Sequence, residues 1–295
     1  MHRRAVVGWL LTAALSPALA SSAGVIEPGS GHFRFDAYAP LADRPLTIWY
    51  WAPEGDLADV EVVFVMHGTL RNARTYRDNW VEVARDRRLL VIAPEFSWKL
   101  YPGSRDYNLG RLIDSSGRPR PEAEWAYSVI EPLFDFVVQS VGGRQQTYAM
   151  FGHSAGGQFV HRFLLFKPNN RARALVCSNA GWYTLPSFQE AFPYGLGHSP
   201  AQPAGLRCAL SRRLVVQLGD ADTDPDDDSL RKTPEALAQG PHRFARGQYF
   251  LKRARDAADR EGVELGWEMS IEHGVGHDNA AMASPAAELL FGPGR

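Results

Sequence analysis

The chain has 295 residues and a formal net charge of −1, with 45% hydrophobic and 22% charged residues. This composition is typical of an ordinary globular protein, and a core of this size needs neither a disulfide nor a metal ion for stability. Because nucleic-acid-binding proteins usually carry a basic face, we expect no nucleic-acid partner.

The first residues have the pattern of a targeting segment. His2–Arg4 is a positive start, Ala5–Leu15 is apolar, and Ala18–Ala20 has the small-x-small form of a cleavage site. The apolar run is too short for a stable membrane anchor, and no second apolar span follows, so we expect no integral membrane span. We therefore predict a signal peptide over residues 1–20, export to the periplasm or the outside medium, and a single domain over residues 21–295.

Strand-like and helix-like segments alternate along the remaining chain. The predicted strands are His32–Tyr38, Pro45–Trp51, Val60–Met66, Arg88–Ala93, Thr147–Phe151, Arg173–Cys177, Arg213–Leu218 and Leu265–Glu272. The predicted helices are Asn72–Arg87, Pro121–Val141, Ala155–Lys167, Arg243–Arg260 and Asp278–Phe291. The first two strands read as an antiparallel pair, and Pro132 must kink its helix or begin a second one. This alternation predicts an α/β fold with a mostly parallel sheet of about eight strands and helices on both faces.

Two long irregular stretches interrupt this alternation. They cover residues 95–120 and 181–208, and each follows the end of a predicted strand. In open α/β sheets, sites gather outside the carboxyl ends of the strands. We therefore expect these stretches to wall a pocket at that edge.

The most informative motif is Gly152-His153-Ser154-Ala155-Gly156. It follows a predicted strand and precedes a predicted helix. This order predicts a nucleophile elbow, a sharp turn that exposes one serine hydroxyl, with glycines where side chains would collide. We predict Ser154 as a nucleophile.

A nucleophilic serine needs a base, and the base needs an orienting acid. The turn after the penultimate strand offers Asp222, with Asp220 and then Asp224 as alternatives. We favour Asp222 because a Gly-x-x-Asp turn lets its carboxylate point back over the sheet edge. A calcium loop does not fit this acidic turn, since glycine and glutamate are missing at the required positions.

The loop after the last predicted strand supplies the base. It contains His277, just before the last helix and in a loop with two glycines, and His273 as an alternative. An oxyanion hole needs two N–H donors. The backbone of Ala155 is expected to supply one, and that of Thr69 or Leu70 the other.

Other residues have structural or secondary interpretations. His67 is interpreted as a residue that fixes its loop, and Trp182 and Tyr183 as core residues or as a wall of the substrate pocket. His198-Ser199 repeats part of the elbow motif without a preceding strand. Export would permit a disulfide between Cys177 and Cys208, which the sequence leaves open. No metal or organic cofactor is implied.

The motifs together resemble the α/β-hydrolase superfamily. The resemblance rests on the elbow, the Gly219-x-x-Asp222 turn, Gly276-His277 and the sequence His-Gly-x-x-x-Asn-Ala that begins at His67. It covers the chain from about residue 60 to the end. Within the superfamily, the chain is most similar to secreted esterases of the polyhydroxybutyrate depolymerase and feruloyl esterase type. This resemblance implies an α/β-hydrolase catalytic domain that acts on a small-molecule or polymeric ester.

The sequence thus predicts an exported serine hydrolase that cleaves carboxylic esters through an acyl-enzyme on Ser154. A serine peptidase or an acyltransferase with the same triad are alternatives, and a non-catalytic binding module is a third. The sequence gives no indication of oligomeric state.

Overall fold

The computed structural model of the chain describes residues 26–293, so the predicted signal peptide lies outside the described residues. The strands are β1 (Gly29–Phe35), β2 (Leu46–Ala52), β3 (Val62–Met66), β4 (Leu90–Glu95), β5 (Tyr148–His153), β6 (Ala172–Ser178), β7 (Leu214–Gly219) and β8 (Trp267–Glu272). The α-helices are α1 (Ala73–Asp78), α2 (Val81–Arg87), α3 (Gly103–Asp106), α4 (Ile130–Ser140), α5 (Ala155–Phe166), α6 (Pro203–Ser211), α7 (Pro234–Leu237), α8 (Arg243–Glu261) and α9 (Asn279–Phe291).

The strands form one sheet in the order β1-β2-β4-β3-β5-β6-β7-β8. The β1–β2 and β2–β4 pairs are antiparallel, and every other neighbouring pair is parallel. The predicted α/β architecture with a mostly parallel, eight-stranded sheet is therefore confirmed. Strands β3 to β8 all end at the same edge, which brings the loops after them together.

Side chains of the central strands alternate between two apolar layers. On one face, Met150 and Leu175 pack with residues of α4, α5, α6 and α8. On the other, Phe151 and Val176 pack with residues of α1, α2 and α9. Because both faces are covered, β3 and β5 are buried along their whole length, and β3 is a continuous apolar run.

Two predicted helices are shorter or divided in the structure. The helix predicted over residues 72–87 is split into α1 and α2, and Trp80 at the break is fully buried against Phe151. The helix predicted over residues 121–141 is a pair of 3₁₀ turns followed by α4. Pro132 is the third residue of α4, where its missing N–H needs no partner, so it lies in a new helix rather than in a kink.

The two cysteines do not form a disulfide. Cys177 is buried in β6, whereas Cys208 lies in α6, a helix that the sequence had predicted as the end of a loop. The Cys208 sulfur is 3.7 Å from the carbonyl oxygen of Pro168. Within residues 26–293, no helix combines the length and hydrophobicity needed to span a bilayer.

Candidate active site

The strand-to-helix turn at Ser154 has a strained backbone. Ser154 lies between β5 and α5 with φ 59° and ψ −119°. Its N–H donates to the carbonyl of Ser178 at the end of β6, 3.0 Å away. Non-glycine residues rarely adopt a positive φ, and such residues concentrate at functional sites.

The glycines on either side of Ser154 permit this turn sterically. A Cβ atom on Gly156 would lie 2.0 Å from the carbonyl oxygen of Met66 in β3, and one on Gly152 would lie 2.3 Å from the carbonyl oxygen of Gly156. Both neighbours are backbone atoms that a side-chain rotation cannot move. The close packing of α5 against β3 and β5 therefore depends on these glycines.

Asp222 and His277 meet at the same edge of the sheet. The Asp222 N–H donates to the carbonyl of Gly219, which closes the turn after β7. The Asp222 Oδ2 atom is 2.7 Å from Nδ1 of His277, with 3% of the aspartate side chain and 25% of the histidine side chain exposed. This contact can fix the histidine ring with Nδ1 protonated and Nε2 free to accept a proton.

The ring of His277 lies beside the elbow. Its centroid is 4.5 Å from that of His153, the residue before Ser154. Burial, together with His277 and Arg243, holds the pKa of His153 well below its usual value, so His153 is a neutral neighbour. No hydrogen bond joins the Ser154 hydroxyl to His277 among the described residues. Hydrogen bonds of this kind often form only once substrate is bound.

The alternative acid and base form a second pair. His273 Nδ1 is 2.7 Å from Oδ2 of Asp220, with 85% of the histidine side chain exposed. The third candidate acid, Asp224, is exposed and accepts from the backbone N–H of Asp226. The two His–Asp pairs differ in their exposure to solvent, because the pair of Asp222 and His277 is shielded from water and the pair of Asp220 and His273 is not.

Asn179, which sequence reasoning missed, links the two loops that carry the pair. It follows β6 directly, is fully buried and has φ 41°. Its Oδ1 accepts from the N–H of Gly219 at 2.9 Å, and its Nδ2 donates to the carbonyl of Gly276 at 3.1 Å. The side chain thus fastens the start of the Asp222 turn to the residue before His277.

Arg243 at the start of α8 was also missed. Its Nη1 lies 3.1 Å from Oδ1 of Asp222 and 3.0 Å from Oδ2 of Asp227, and its Nη2 donates to Ser229. Hydrogen bonds from Arg243 and Ser229 lower the pKa of Asp227. Arg243 therefore holds the oxygen of Asp222 that His277 leaves free.

The candidate oxyanion donors border the same cleft. Ala155 is the first residue of α5, where backbone N–H groups lack partners within the helix. Thr69 is exposed and lines the cleft beside Ser154 and Ala155, whereas Leu70 is 77% exposed and is not among the residues that line it. His67 supports this loop, because its Nε2 accepts from the N–H of Phe96 and its ring stacks on Tyr107.

A cleft of about 350 Å³ opens at Ser154. Trp182 lines it, but Tyr183 does not, because Tyr183 is fully buried and stacks on Phe250 at 4.3 Å. A second, more apolar cavity of about 500 Å³ includes Leu185 and Tyr249 and contains none of the candidate catalytic residues. Within the described part of the chain, no group of three or more His, Cys, Asp or Glu side chains is arranged to hold a metal ion.

Neither a protein-family model nor a curated protein sequence matches the chain. Two solved structures resemble it along most of its length. Poly(aspartic acid) hydrolase-1 from Sphingomonas sp. KT-1 is 41% identical with a TM-score of 0.88, over 90% of this chain and 100% of its own. The poly(3-hydroxybutyrate) depolymerase LpqC from Bordetella parapertussis is 36% identical with a TM-score of 0.86, over 91% of this chain and 92% of its own.

A more distant structure shares the fold. A ferulic acid esterase is 14% identical with a TM-score of 0.53, over 90% of this chain and 97% of its own. At 14% identity this similarity shows a shared fold only. The family relationship is shown by the two structures with 41% and 36% identity.

Proposed function

The chain belongs to the α/β-hydrolase superfamily, as its motifs predicted, and we propose that it is a serine hydrolase that cleaves carboxylic esters through an acyl-enzyme. Ser154 is the nucleophile, His277 the general base and Asp222 the residue that orients the imidazole. The observation that carries the proposal is the 2.7 Å contact between Asp222 and His277 beside the strained Ser154 turn.

The reaction follows from this arrangement. His277 Nε2 takes the proton of the Ser154 hydroxyl while the serine oxygen attacks the ester carbonyl carbon. The negative charge on the carbonyl oxygen is stabilised by the N–H of Ala155 and by that of Thr69 or Leu70. The imidazolium then protonates the leaving alcohol, and an acyl group stays on Ser154. Water, deprotonated by His277, releases the acid and restores the serine.

Replacement of the nucleophile tests this proposal. Ser154→Ala is expected to fold normally, to lose labelling by a fluorophosphonate and to lose the burst of 4-nitrophenol from activated esters. Ser199→Ala, in the sequence that only resembles an elbow, is the matched control and is expected to keep both. Turnover retained by Ser154→Ala would refute the assignment.

A second candidate function is amide cleavage in an acidic chain. The relative at 41% identity is named a hydrolase of poly(aspartic acid), a polymer of amide-linked units with carboxylate side groups. The same triad can cleave an amide if the amine leaving group is protonated. Purified protein assayed with 4-nitrophenyl esters of graded chain length and with poly(aspartic acid) in parallel would separate the two activities.

We also propose that the protein is exported, on the strength of the segment over residues 1–20. If this is correct, the secreted form begins near Ser21. Fractionation of a producing cell, with N-terminal sequencing of the mature protein, tests this, and recovery of the full-length chain in the cytoplasm would contradict it.

A further inference from the structure

The walls of the Ser154 cleft contain more arginine than carboxylate. Arg71, Arg231 and Arg243 all line it, and Arg162 lies just behind Trp182. Of these four arginines, only Arg243 has carboxylate partners in the part of the chain that the structure describes. No carboxylate oxygen within residues 26–293 lies within 4.0 Å of the guanidinium nitrogens of Arg71, Arg162 or Arg231, which instead contact carbonyl, hydroxyl or amide oxygens.

A positive charge without a carboxylate partner is costly in a site sheltered from water. Arg162 is fully buried, and burial lowers its pKa to about 10. Arg246, which donates to the carbonyl of Gly181 in the cleft wall, also has its pKa lowered to about 10, first by burial and then by Arg243. The cleft therefore carries positive charge that no carboxylate among residues 26–293 balances, apart from the partners of Arg243.

Of the three arginines that line the cleft, Arg231 has the most N–H groups without a hydrogen-bond partner among the described residues. The Nη atoms of Arg71 are engaged by the carbonyls of Phe96, Tyr101 and Gly103, and those of Arg243 by the groups described above. Arg231, in contrast, donates only through Nε, to the Tyr194 hydroxyl at 2.6 Å. Its two Nη groups make no hydrogen bond to any described residue.

The guanidinium of Arg231 is also held in place before any ligand arrives. It lies 4.7 Å from the centre of the Trp182 ring and 5.5 Å from that of Tyr194. Its own carbonyl accepts from Arg246 at 2.9 Å. Aromatic packing and the Nε contact leave the Nη edge as the part open for recognition, and this edge is suited to two-point binding of a carboxylate.

We propose that Arg231 is a specificity residue that binds a carboxylate group of the substrate, so that the enzyme acts on an anionic, carboxylate-bearing chain. Arg71 and Arg162 add to the local positive field, which raises the concentration of anionic substrate in the cleft. Trp182 is the platform that orients the guanidinium. This inference deepens the proposed function, but it can be tested without turnover.

The test measures binding in the Ser154→Ala background, where no ligand is consumed. Acetylated, amidated tetra-aspartate and the neutral tetra-asparagine of the same length are titrated by calorimetry at low salt. Tetra-aspartate is expected to bind at least about tenfold more tightly, because charge-assisted hydrogen bonds are stronger than neutral ones. Its affinity is expected to fall as salt is added.

Variants of the arginine then assign the effect. Adding Arg231→Gln to Ser154→Ala is expected to weaken tetra-aspartate binding about 10- to 100-fold, because the charged partner of the carboxylate is lost. Arg231→Lys keeps the charge but not the planar guanidinium group, and its affinity for tetra-aspartate is expected to lie between those of the Ser154→Ala protein and the Arg231→Gln variant. Arg207→Gln is the matched control, since Arg207 pairs with Glu261 on an exposed surface. Thermal melting checks that each variant is folded.

Equal binding of the two peptides, or equal loss in the Arg231→Gln and Arg207→Gln variants, would overturn the proposal. If Arg231→Gln does not fold, Arg231→Lys decides, and unchanged tetra-aspartate affinity in that variant would count against two-point recognition. Failure of the proposed function would give a different result: Ser154→Ala would retain turnover, and the measured preference for tetra-aspartate would be unchanged.

Discussion

Asp222 and Arg243 form an ion pair with an Oδ1–Nη1 distance of 3.1 Å, in which neither side chain is more than 3% exposed. The other carboxylate oxygen of Asp222 contacts His277. A carboxylate with two firm partners has little rotational freedom, so we infer that Arg243 helps to orient the histidine ring without touching it. A negative charge buried at this depth needs such a partner to be stable.

Arg243→Met is expected to destabilise the protein by about 3 kcal/mol, because removal of one partner leaves a buried charge uncompensated. The value of kcat should fall as well, since Asp222 can then turn away from His277. Urea unfolding and ester kinetics measure the two effects. Arg207→Gln, at an exposed pair, is the control, and equal small effects in both variants would contradict this view of Asp222 and Arg243.

The two His–Asp pairs are expected to differ sharply in activity. His277→Gln should lower kcat by at least about 10³-fold, because the general base is lost. His273→Gln, in the exposed pair, should stay within about threefold of the wild type, as surface substitutions usually have small effects. Steady-state ester hydrolysis measures both. The reverse ranking would assign the chemistry to Asp220 and His273.

Asn179 is expected to act as a positioning residue. Its amide joins Gly219 to Gly276 across the sheet edge, so its loss should lower kcat more than it raises KM. Asn179→Gly introduces a residue that tolerates a φ of 41°, so it removes the side-chain amide without straining the backbone. Asn179→Ala removes the amide and also adds backbone strain. Both variants should show slowed fluorophosphonate labelling of Ser154. Wild-type labelling by Asn179→Gly would show that the bridge is not needed.

Gly156→Ala is expected to destabilise the protein by about 1–3 kcal/mol or more, because the new methyl group must displace backbone of β3. The elbow should be distorted and activity lost. Gly205→Ala in α6 is the matched control, since its Cβ would make only an ordinary contact at 3.4 Å and alanine favours helix. Thermal unfolding measures the melting temperature of each variant, and that of Gly156→Ala is expected to be the lower. Similar melting temperatures would argue against close packing at the elbow.

Stability is expected to fall as the pH is lowered from about 6.5 towards 3, the range set by the usual pKa of histidine and by that of His67. Burial lowers the pKa of His67 to about 3, and it holds those of His153 and His161 well below the usual value for histidine. In this range the unfolded chain binds protons that the folded chain does not, so protonation favours unfolding. Each such histidine lowers the free energy of unfolding by up to about 1.4 kcal/mol for each pH unit within this range.

Urea unfolding at pH 7.5, 6.5, 5.5 and 4.5 measures this dependence. His67→Gln should be less stable at pH 7.5, since its contacts with Phe96 and Tyr107 are lost, but its stability should fall less steeply with acid. Parallel curves for the wild type and the variant would show that His67 titrates alike in the folded and unfolded chains.

The sequence by itself determined the features that depend on local periodicity and local sterics. The alternation of apolar strands and helices indicated the sheet. The glycines around Ser154 indicated the turn, because one backbone collision there is local, between a Cβ at position 152 and the carbonyl of Gly156. The order of the acidic turn and the histidine loop after Ser154 indicated which strand ends would meet. Helix boundaries were less well predicted, because burial of Trp80 and the 3₁₀ turns before α4 depend on tertiary packing.

Only the tertiary structure distinguished the environments of residues that are neighbours in the chain. Asp220 and Asp222, like His273 and His277, are close together in the sequence, and the fold shields only the pair of Asp222 and His277 from water. Tyr183 and Trp182 are adjacent, yet one packs in the core and the other lines the cleft. The roles proposed for Asn179, Arg243 and Arg231 depend on contacts between segments far apart in the chain. A net charge of −1 likewise gave no sign of the arginines around the cleft, because a sum over the chain carries no information about where charges gather.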